Sequence, residues 1–197
     1  MKPLRIALTK GRLEKNTVEL FERIGLDCYH VKNKGRRLIL PIGGGEIEVV
    51  LAKAADVITY VENGSSFFEL LDLGFGKCRF ALAGKKGEDF FKGHRVKTIA
   101  SKYPKVTRTY FESIGMDVKI IKIEGSVELA PLLGLSDAIV DIVETGTTLK
   151  ENGLEVIRDI LPVSARLIAN TASLKLRKAE IENLADRMEE EIHGREE

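Results

Sequence analysis

Apolar residues along this chain come in two rhythms. Short runs are closed by glycine or charge, and longer stretches repeat an apolar residue every three or four positions; the first marks strands and the second helices. Residues 4–8 predict a buried strand. A helix follows in which Leu13, Val18, Leu20, Phe21 and Ile24 form one stripe and Gly25 supplies the stop. Residues 37–40 and 46–51 predict strands on either side of a hairpin-type turn at Pro41-Ile42-Gly43-Gly44-Gly45. Residues 57–62 predict a short helix ending at Asn63-Gly64, residues 67–73 stay apolar, and Gly74-Phe75-Gly76 turns. Further strands are expected over 78–83, 96–100, 118–123, 138–143, 156–160 and 166–169. Helices are expected from Tyr103-Pro104 to Ile114, from a Ser126 cap through Leu129, and over 175–193, where Leu176, Ile181, Leu184, Met188 and Ile192 share a face. Strands alternating with helices through both halves predict an α/β architecture with largely parallel sheets. Gly84-Lys85-Lys86-Gly87 is the clearest compositional break and predicts a hinge between two lobes facing across a cleft.

Composition narrows the function classes. The 197 residues carry a net charge of +1 with 31% charged side chains, so no strongly basic face is implied and nucleic acid is not expected as the main partner. No apolar run approaches a membrane span, and the N-terminal run is too short for a signal peptide. Cys28 and Cys78 lie far apart without metal or redox spacing, which fits free, small apolar residues in a reducing compartment. A soluble cytoplasmic protein is expected. His30, His94 and His193 are isolated, and Gly43-Gly44-Gly45 opens no helix, so neither predicts a metal site nor a phosphate loop.

The stretch with most chemistry is Asp141-Ile142-Val143-Glu144-Thr145-Gly146-Thr147-Thr148-Leu149. An apolar strand passes two carboxylates, then a Thr/Gly turn, then a helix. Such a turn aims free backbone N–H groups and hydroxyls at one spot, which suits a phosphate. Asp141 and Glu144 would repel a bare phosphate but suit ribose hydroxyls or a magnesium ion bridging a phosphorylated sugar. The plainer reading is a capped helix after a buried strand.

Several stretches together resemble the ATP phosphoribosyltransferase family, the first enzyme of histidine biosynthesis. They are Lys10-Gly11-Arg12, Asp72-Leu73-Gly74-Phe75-Gly76-Lys77-Cys78, Lys102-Tyr103-Pro104, Gly125-Ser126-Val127-Glu128-Leu129-Ala130-Pro131, the run from Gly134 to Leu149, and Arg166-Leu167-Ile168-Ala169-Asn170. The resemblance runs in order along nearly the whole chain. It implies a two-lobed, periplasmic-binding-protein-like (type II) fold, with lobe I from residues 1–86 plus 166–197 and lobe II from 87–165. The chain looks like the short form of the family, without a histidine-binding regulatory domain. That form implies a histidyl-tRNA-synthetase-like regulatory subunit, a hetero-octamer, and a homodimer of the transferase itself. Two departures stand out. Gly64 runs directly into Ser65-Ser66-Phe67, where family members usually have a strand and turn, and Lys53-Ala54 stands in place of the usual Arg-Pro.

The reaction so implied joins N1 of ATP to the anomeric carbon of phosphoribosyl pyrophosphate and releases pyrophosphate. On that resemblance Thr145, Gly146, Thr147 and Thr148 cradle the 5′-phosphate, while Asp141 and Glu144 hold ribose hydroxyls directly or through Mg2+. Lys10, Gly11 and Arg12 meet substrate phosphates, Lys53 and Asp56 are candidates for ATP or pyrophosphate, and Glu128 for the substrate side. Lys77 and Arg79 are weaker candidates near ATP. Magnesium is expected to be held by substrate phosphates. Two other readings stand beside this one: a non-catalytic nucleotide- or phosphate-binding module on the same fold, and a different phosphoribosyltransferase.

Overall fold

The computed structural model describes residues 2–62 and 66–194. In chain order its elements are β1 (Leu4–Thr9), α1 (Arg12–Arg23), α2 (Tyr29–Lys32), β2 (Ile39–Ile42), β3 (Ile47–Ala52), α3 (Ala54–Glu62), β4 (Phe67–Asp72), β5 (Cys78–Lys85) and β6 (Lys97–Ser101). Then come α4 (Pro104–Ser113), β7 (Val118–Lys122), α5 (Leu129–Leu132), β8 (Ala138–Val143), α6 (Thr147–Glu151), β9 (Leu154–Val163), β10 (Arg166–Asn170), α7 (Thr171–Leu176) and α8 (Lys178–His193). The junction of Gly64 with Ser65, where the sequence departs from the pattern of the family it resembles, lies outside the described residues, as does the expected helix end at Asn63-Gly64.

Two compact units form, one from Met1–Gly76 with Ser164–Glu197 and one from Lys77–Val163. The glycine-rich stretch expected as a hinge is strand end and turn instead. Gly84 and Lys85 close β5, with Gly84 opposite Ala138 and Glu155. The turn after them is tied down by Lys86 N–H to the Gly153 carbonyl and Gly87 N–H to the Glu155 carboxylate, each near 3.0 Å. A Cβ at Gly84 would meet the Ile157 Cδ1 at 2.9 Å, the movable end of a side chain, and backbone no nearer than the Asp137 carbonyl at 3.7 Å.

In the first unit β1 runs parallel to β3 and β2 antiparallel to it, giving the order β1-β3-β2; a separate pair, β4 with β10, is antiparallel. The expected hairpin turn is shifted from 41–45, since Pro41 and Ile42 pair within β2 and the reversal uses Gly43–Gly45 with Glu46, ending before Ile47. Leu20, Phe21, Leu40, Val49 and Met188 are almost fully buried in one core, with α8 contributing Leu184 beside Met188. The expected single helix over 175–193 is two. Asn170 caps α7 by accepting the Ser173 N–H at 3.0 Å, and Arg177, at φ −133°, breaks the chain before α8.

The second unit is a five-stranded sheet in the order β7-β6-β8-β5-β9. The expectation of largely parallel sheets is corrected here. β6 is parallel to β7 and β8, but β5 is antiparallel to both β8 and β9. β5 and β9 are the strands by which the chain enters and leaves this unit, so they need no helical crossover and pair as antiparallel neighbours. Strand alternation builds a core on each face: Phe80, Leu82, Ala138 and Val140 pack with Phe111 of α4, whereas Ala81, Ala83, Ile139 and Val143 pack with Ala130 of α5 and Leu149 of α6. The short helix expected to be capped by Ser126 starts later. Ser126 to Leu129 is a turn, with the Leu129 N–H on the Ser126 carbonyl, and α5 begins at Leu129 with Pro131 inside its first turn, where the missing N–H costs nothing.

Candidate functional site

β8 is buried through Ala138, Ile139 and Val140 and then surfaces at Asp141. Along a strand successive side chains alternate faces, so Asp141 shares the α5/α6 side with Ile139 and Val143. Its partner across the ladder is Ala81, whose small side chain leaves room there. The half-buried carboxyl is held above the ordinary carboxylate value of 3.8. Burial is the main cause, the charge of Glu128 adds to it, and the Ile142 N–H and the charge of Lys102 oppose it. Glu128 and Lys102 therefore both act on Asp141, at the C-terminal ends of the parallel strands β6 and β8 and the start of α5.

The chain leaves β8 through Glu144-Thr145-Gly146 into α6. Gly146 precedes the helix at φ 77°, ψ 8°, a left-handed backbone that favours glycine. The Thr145 and Thr147 hydroxyls are 3.0 Å apart, and Thr145, Thr147 and Thr148 are all exposed. One arginine secures this turn: Arg79 of β5 donates Nη1 to the Glu144 carbonyl at 3.1 Å and Nε to the Asp159 carboxylate at 2.6 Å. Asp141, Glu144, Thr145, Gly146, Thr147, Thr148 and Glu128 thus lie at one end of the second unit.

Lys10, Gly11, Arg12, Lys53 and Asp56 belong to the first unit. Thr9 at the end of β1 is opposite Ala52 at the end of β3, so Lys10 and Lys53 leave adjacent parallel strands side by side. The Lys10 N–H bonds the Ala52 carbonyl at 2.9 Å. Gly11, at φ 99°, opens α1 without a side-chain cap, and the Asp56 N–H returns to the Lys53 carbonyl at 2.9 Å to start α3. Lys10, Arg12, Lys53 and Asp56 are exposed. Lys77 is exposed as well.

Sequence reasoning gave Tyr103 no role. Parallel pairing of β6 with β8 sets Ser101 opposite Val140, and the Ser101 hydroxyl donates to the Val140 carbonyl at 2.6 Å while accepting the Tyr103 N–H at 2.9 Å. Tyr103 then packs edge-on against Phe80 at 4.9 Å. Its phenol is raised by burial and by the charges of Asp141 and Cys78. The only signal was its place in Lys102-Tyr103-Pro104. Among the described residues, no group of three or more histidine, cysteine or acidic side chains is placed to hold a metal ion, and no helix is long and apolar enough to cross a membrane.

Residues 54–190 match the model of the family described as HisG, ATP phosphoribosyltransferase. A relative from Clostridium kluyveri, named ATP phosphoribosyltransferase, is 54% identical over 206 residues, covering 96% of this chain and 94% of its own. That matched stretch is longer than the 197 residues of this chain, so the relative carries internal residues that this chain lacks. A solved structure described as the ATP phosphoribosyl transferase (HisG:HisZ) complex from Thermotoga maritima is 31% identical, with a TM-score of 0.79 over 97% of this chain and 99% of that one. The GluR0 ligand-binding core in complex with L-glutamate is 10% identical with a TM-score of 0.61, covering 99% of this chain and 94% of that one; this likeness concerns the fold alone and agrees with the two-lobed, periplasmic-binding-protein-like architecture. The chain belongs to the ATP phosphoribosyltransferase family.

Proposed function

We propose that this chain transfers the phosphoribosyl group of phosphoribosyl pyrophosphate to N1 of ATP, releasing pyrophosphate, as the first step of histidine biosynthesis in the cytoplasm. The reading is carried by one observation beside family membership: a half-buried carboxyl at Asp141, followed within one turn by the exposed Thr145–Thr148 hydroxyls.

The adenine nitrogen brings its own lone pair, so the site has no need of a strong base. It has to align two polyanions and stabilise a sugar that becomes oxocarbenium-like as pyrophosphate departs. Thr145, Thr147 and Thr148 donate hydroxyls, and the Gly146 turn donates backbone N–H groups, to the 5′-phosphate. Asp141 and Glu144 accept from the ribose hydroxyls. Partial desolvation of Asp141 strengthens this: an ion poor in water gains more from each donor the substrate brings. Lys10, Gly11, Arg12, Lys53 and Asp56 serve the polyphosphate substrates, with Lys53 as a point charge rather than a bidentate fork.

The residues fit a magnesium ion held mainly by substrate phosphates, since Asp141 and Glu128 can add one or two carboxylates, the usual protein share of such a site. When bound, magnesium neutralises charge on the departing pyrophosphate. The regulatory partner is a histidyl-tRNA-synthetase-like subunit in a hetero-octamer; the Thermotoga maritima relative, described as a HisG:HisZ complex, supports it.

The test mixes the chain with ATP, phosphoribosyl pyrophosphate and magnesium, with and without the synthetase-like subunit, and follows phosphoribosyl-ATP by its ultraviolet absorbance. Product is expected. Ligand binding without product under both conditions would replace this reading with that of a non-catalytic binding module. Unchanged turnover in Thr147→Ala or Glu144→Ala would overturn the assignment of those residues.

A further inference from the structure

The first unit contains a cavity of about 880 Å³, near the top of the roughly 300–1,000 Å³ range of ordinary ligand pockets. Its shape follows from what lines it. Every residue of β1 and every residue of β10 does so, along with Val57 and Val61 of α3 and Leu184 and Met188 of α8. β1 is hydrogen-bonded to β3 alone and β10 to β4 alone. Two strand edges without a ladder partner among the described residues therefore border one apolar slot that helices also line. This is the arrangement of a helix-covered sheet from which one central strand has been withdrawn.

The sequence of β1 carries the same mark. Leu4, Ile6, Ala7 and Leu8 read as a strand buried on both faces, yet only Leu8 is buried. Unpaired backbone N–H and C=O groups along an apolar wall are costly. A lipid tail or other hydrocarbon would fill the volume and leave those groups unpaired, whereas an extended peptide satisfies both edges and fills the volume at once. The Clostridium kluyveri relative also carries internal residues that this chain lacks within the matched stretch.

We propose that the slot between β1 and β10 is a strand-acceptor site, which binds one extended apolar peptide segment of about six residues, the length of β1, by pairing with both edges. The guest joins β2-β3-β1 to β10-β4 as one continuous sheet.

The probe is a synthetic peptide of the residues that the Clostridium kluyveri relative carries and this chain lacks, with its scrambled sequence as control. The full chain is expected to bind one peptide. At a hundred times the Kd, the folded-to-unfolded ratio rises about 100-fold, seen as a higher Tm. Hydrogen exchange slows at residues 4–9 and at 166–170 together. Val57→Lys, which sets a charge in the slot wall, weakens binding at least tenfold while the variant alone still melts cooperatively; should it not fold, Ala172→Lys on α7, which also lines the slot, replaces it. Absence of binding, equal binding of the scrambled peptide, or protection at only one of the two strands would overturn the proposal. None of these readouts depends on turnover, so loss of catalysis leaves the result intact.

Discussion

Arg79 and Glu144 are 65 residues apart, yet the Arg79 guanidinium donates to the Glu144 carbonyl at 3.1 Å while holding Asp159 at 2.6 Å. The contact is to backbone, so Arg79 fixes where the Thr/Gly turn begins without competing for its side chains. Arg79→Met keeps the aliphatic stem and removes both bonds. We expect kcat/KM for phosphoribosyl pyrophosphate to fall about tenfold, the equivalent of one charge-assisted hydrogen bond. Tm should change little, because the side chain is partly exposed. Steady-state kinetics beside a melting curve separates the two; equal losses in both would make Arg79 a structural residue only.

Asp141 and Asp137 stand on either side of buried residues 138–140 and should respond to pH in opposite senses. For Asp141, burial and Glu128 raise the folded-state value above 3.8. The folded chain then binds this proton more tightly than the unfolded chain, so the contribution to stability falls as pH rises from 3.8 through the folded value. Asp141→Asn is expected to raise Tm at pH 7, to lose that advantage as pH drops below 3.8, and to abolish most transfer activity. Burial would raise Asp137 too, but its ion pair with Arg95 and the Thr98 N–H at 2.7 Å outweigh burial and lower it. Its contribution is present above 3.8 and is lost as pH falls through the folded value. Asp137→Ala should lower Tm at pH 7 by about 2–4 °C, the effect of one net hydrogen bond in a chain of this size. Melting curves of both variants from pH 3 to 8 check the pair.

What the sequence made legible was local. An apolar run ending in Asp141 and followed by Thr145-Gly146-Thr147 shows strand, turn and helix start because each step depends on near neighbours. Tyr103 escaped, and Arg79, a weaker candidate near ATP, was not tied to this turn, because their neighbourhoods are made by strand pairing, Ser101 with Val140 and Arg79 with Val143, which no short-range pattern encodes. Strand direction was hidden for the same reason: alternation along β5 looks the same whichever way its neighbours run. The break before α8 was hidden too, since Leu176 continues the helical spacing of Ile181 and Leu184 although it is 85% exposed.

Gly146 tests the turn separately from its chemistry. A Cβ at this position would find Val143 at 3.8 Å, an ordinary contact, so space is not the issue. The backbone is the issue, at φ 77°. Gly146→Ala should cost about 1–2 kcal/mol in chemical denaturation, and Gly146→Asn less, because asparagine tolerates the left-handed region. Both keep every side-chain donor of the turn. If the turn's shape positions the 5′-phosphate, Gly146→Ala raises KM for phosphoribosyl pyrophosphate more than Gly146→Asn does. An unchanged KM in both would separate the turn from substrate.

Cys28 supplies a check on the core of the first unit that needs no substrate. It is 1% exposed, and burial, reinforced by Glu22 and Asp27, pushes its thiol up to about 11. At pH 8 roughly one such thiol in a thousand is ionised, against about one in four for an ordinary cysteine. Because the thiolate is the reactive species, alkylation at pH 8 should modify the half-buried Cys78 first and leave Cys28 untouched until the unit opens. Mass spectrometry of the two cysteine peptides reads this directly. Raising denaturant should then release Cys28 at the concentration at which the first unit unfolds. Early labelling of Cys28 in water would mean that the packing around Leu20, Phe21 and Val31 opens far more readily than their near-complete burial implies.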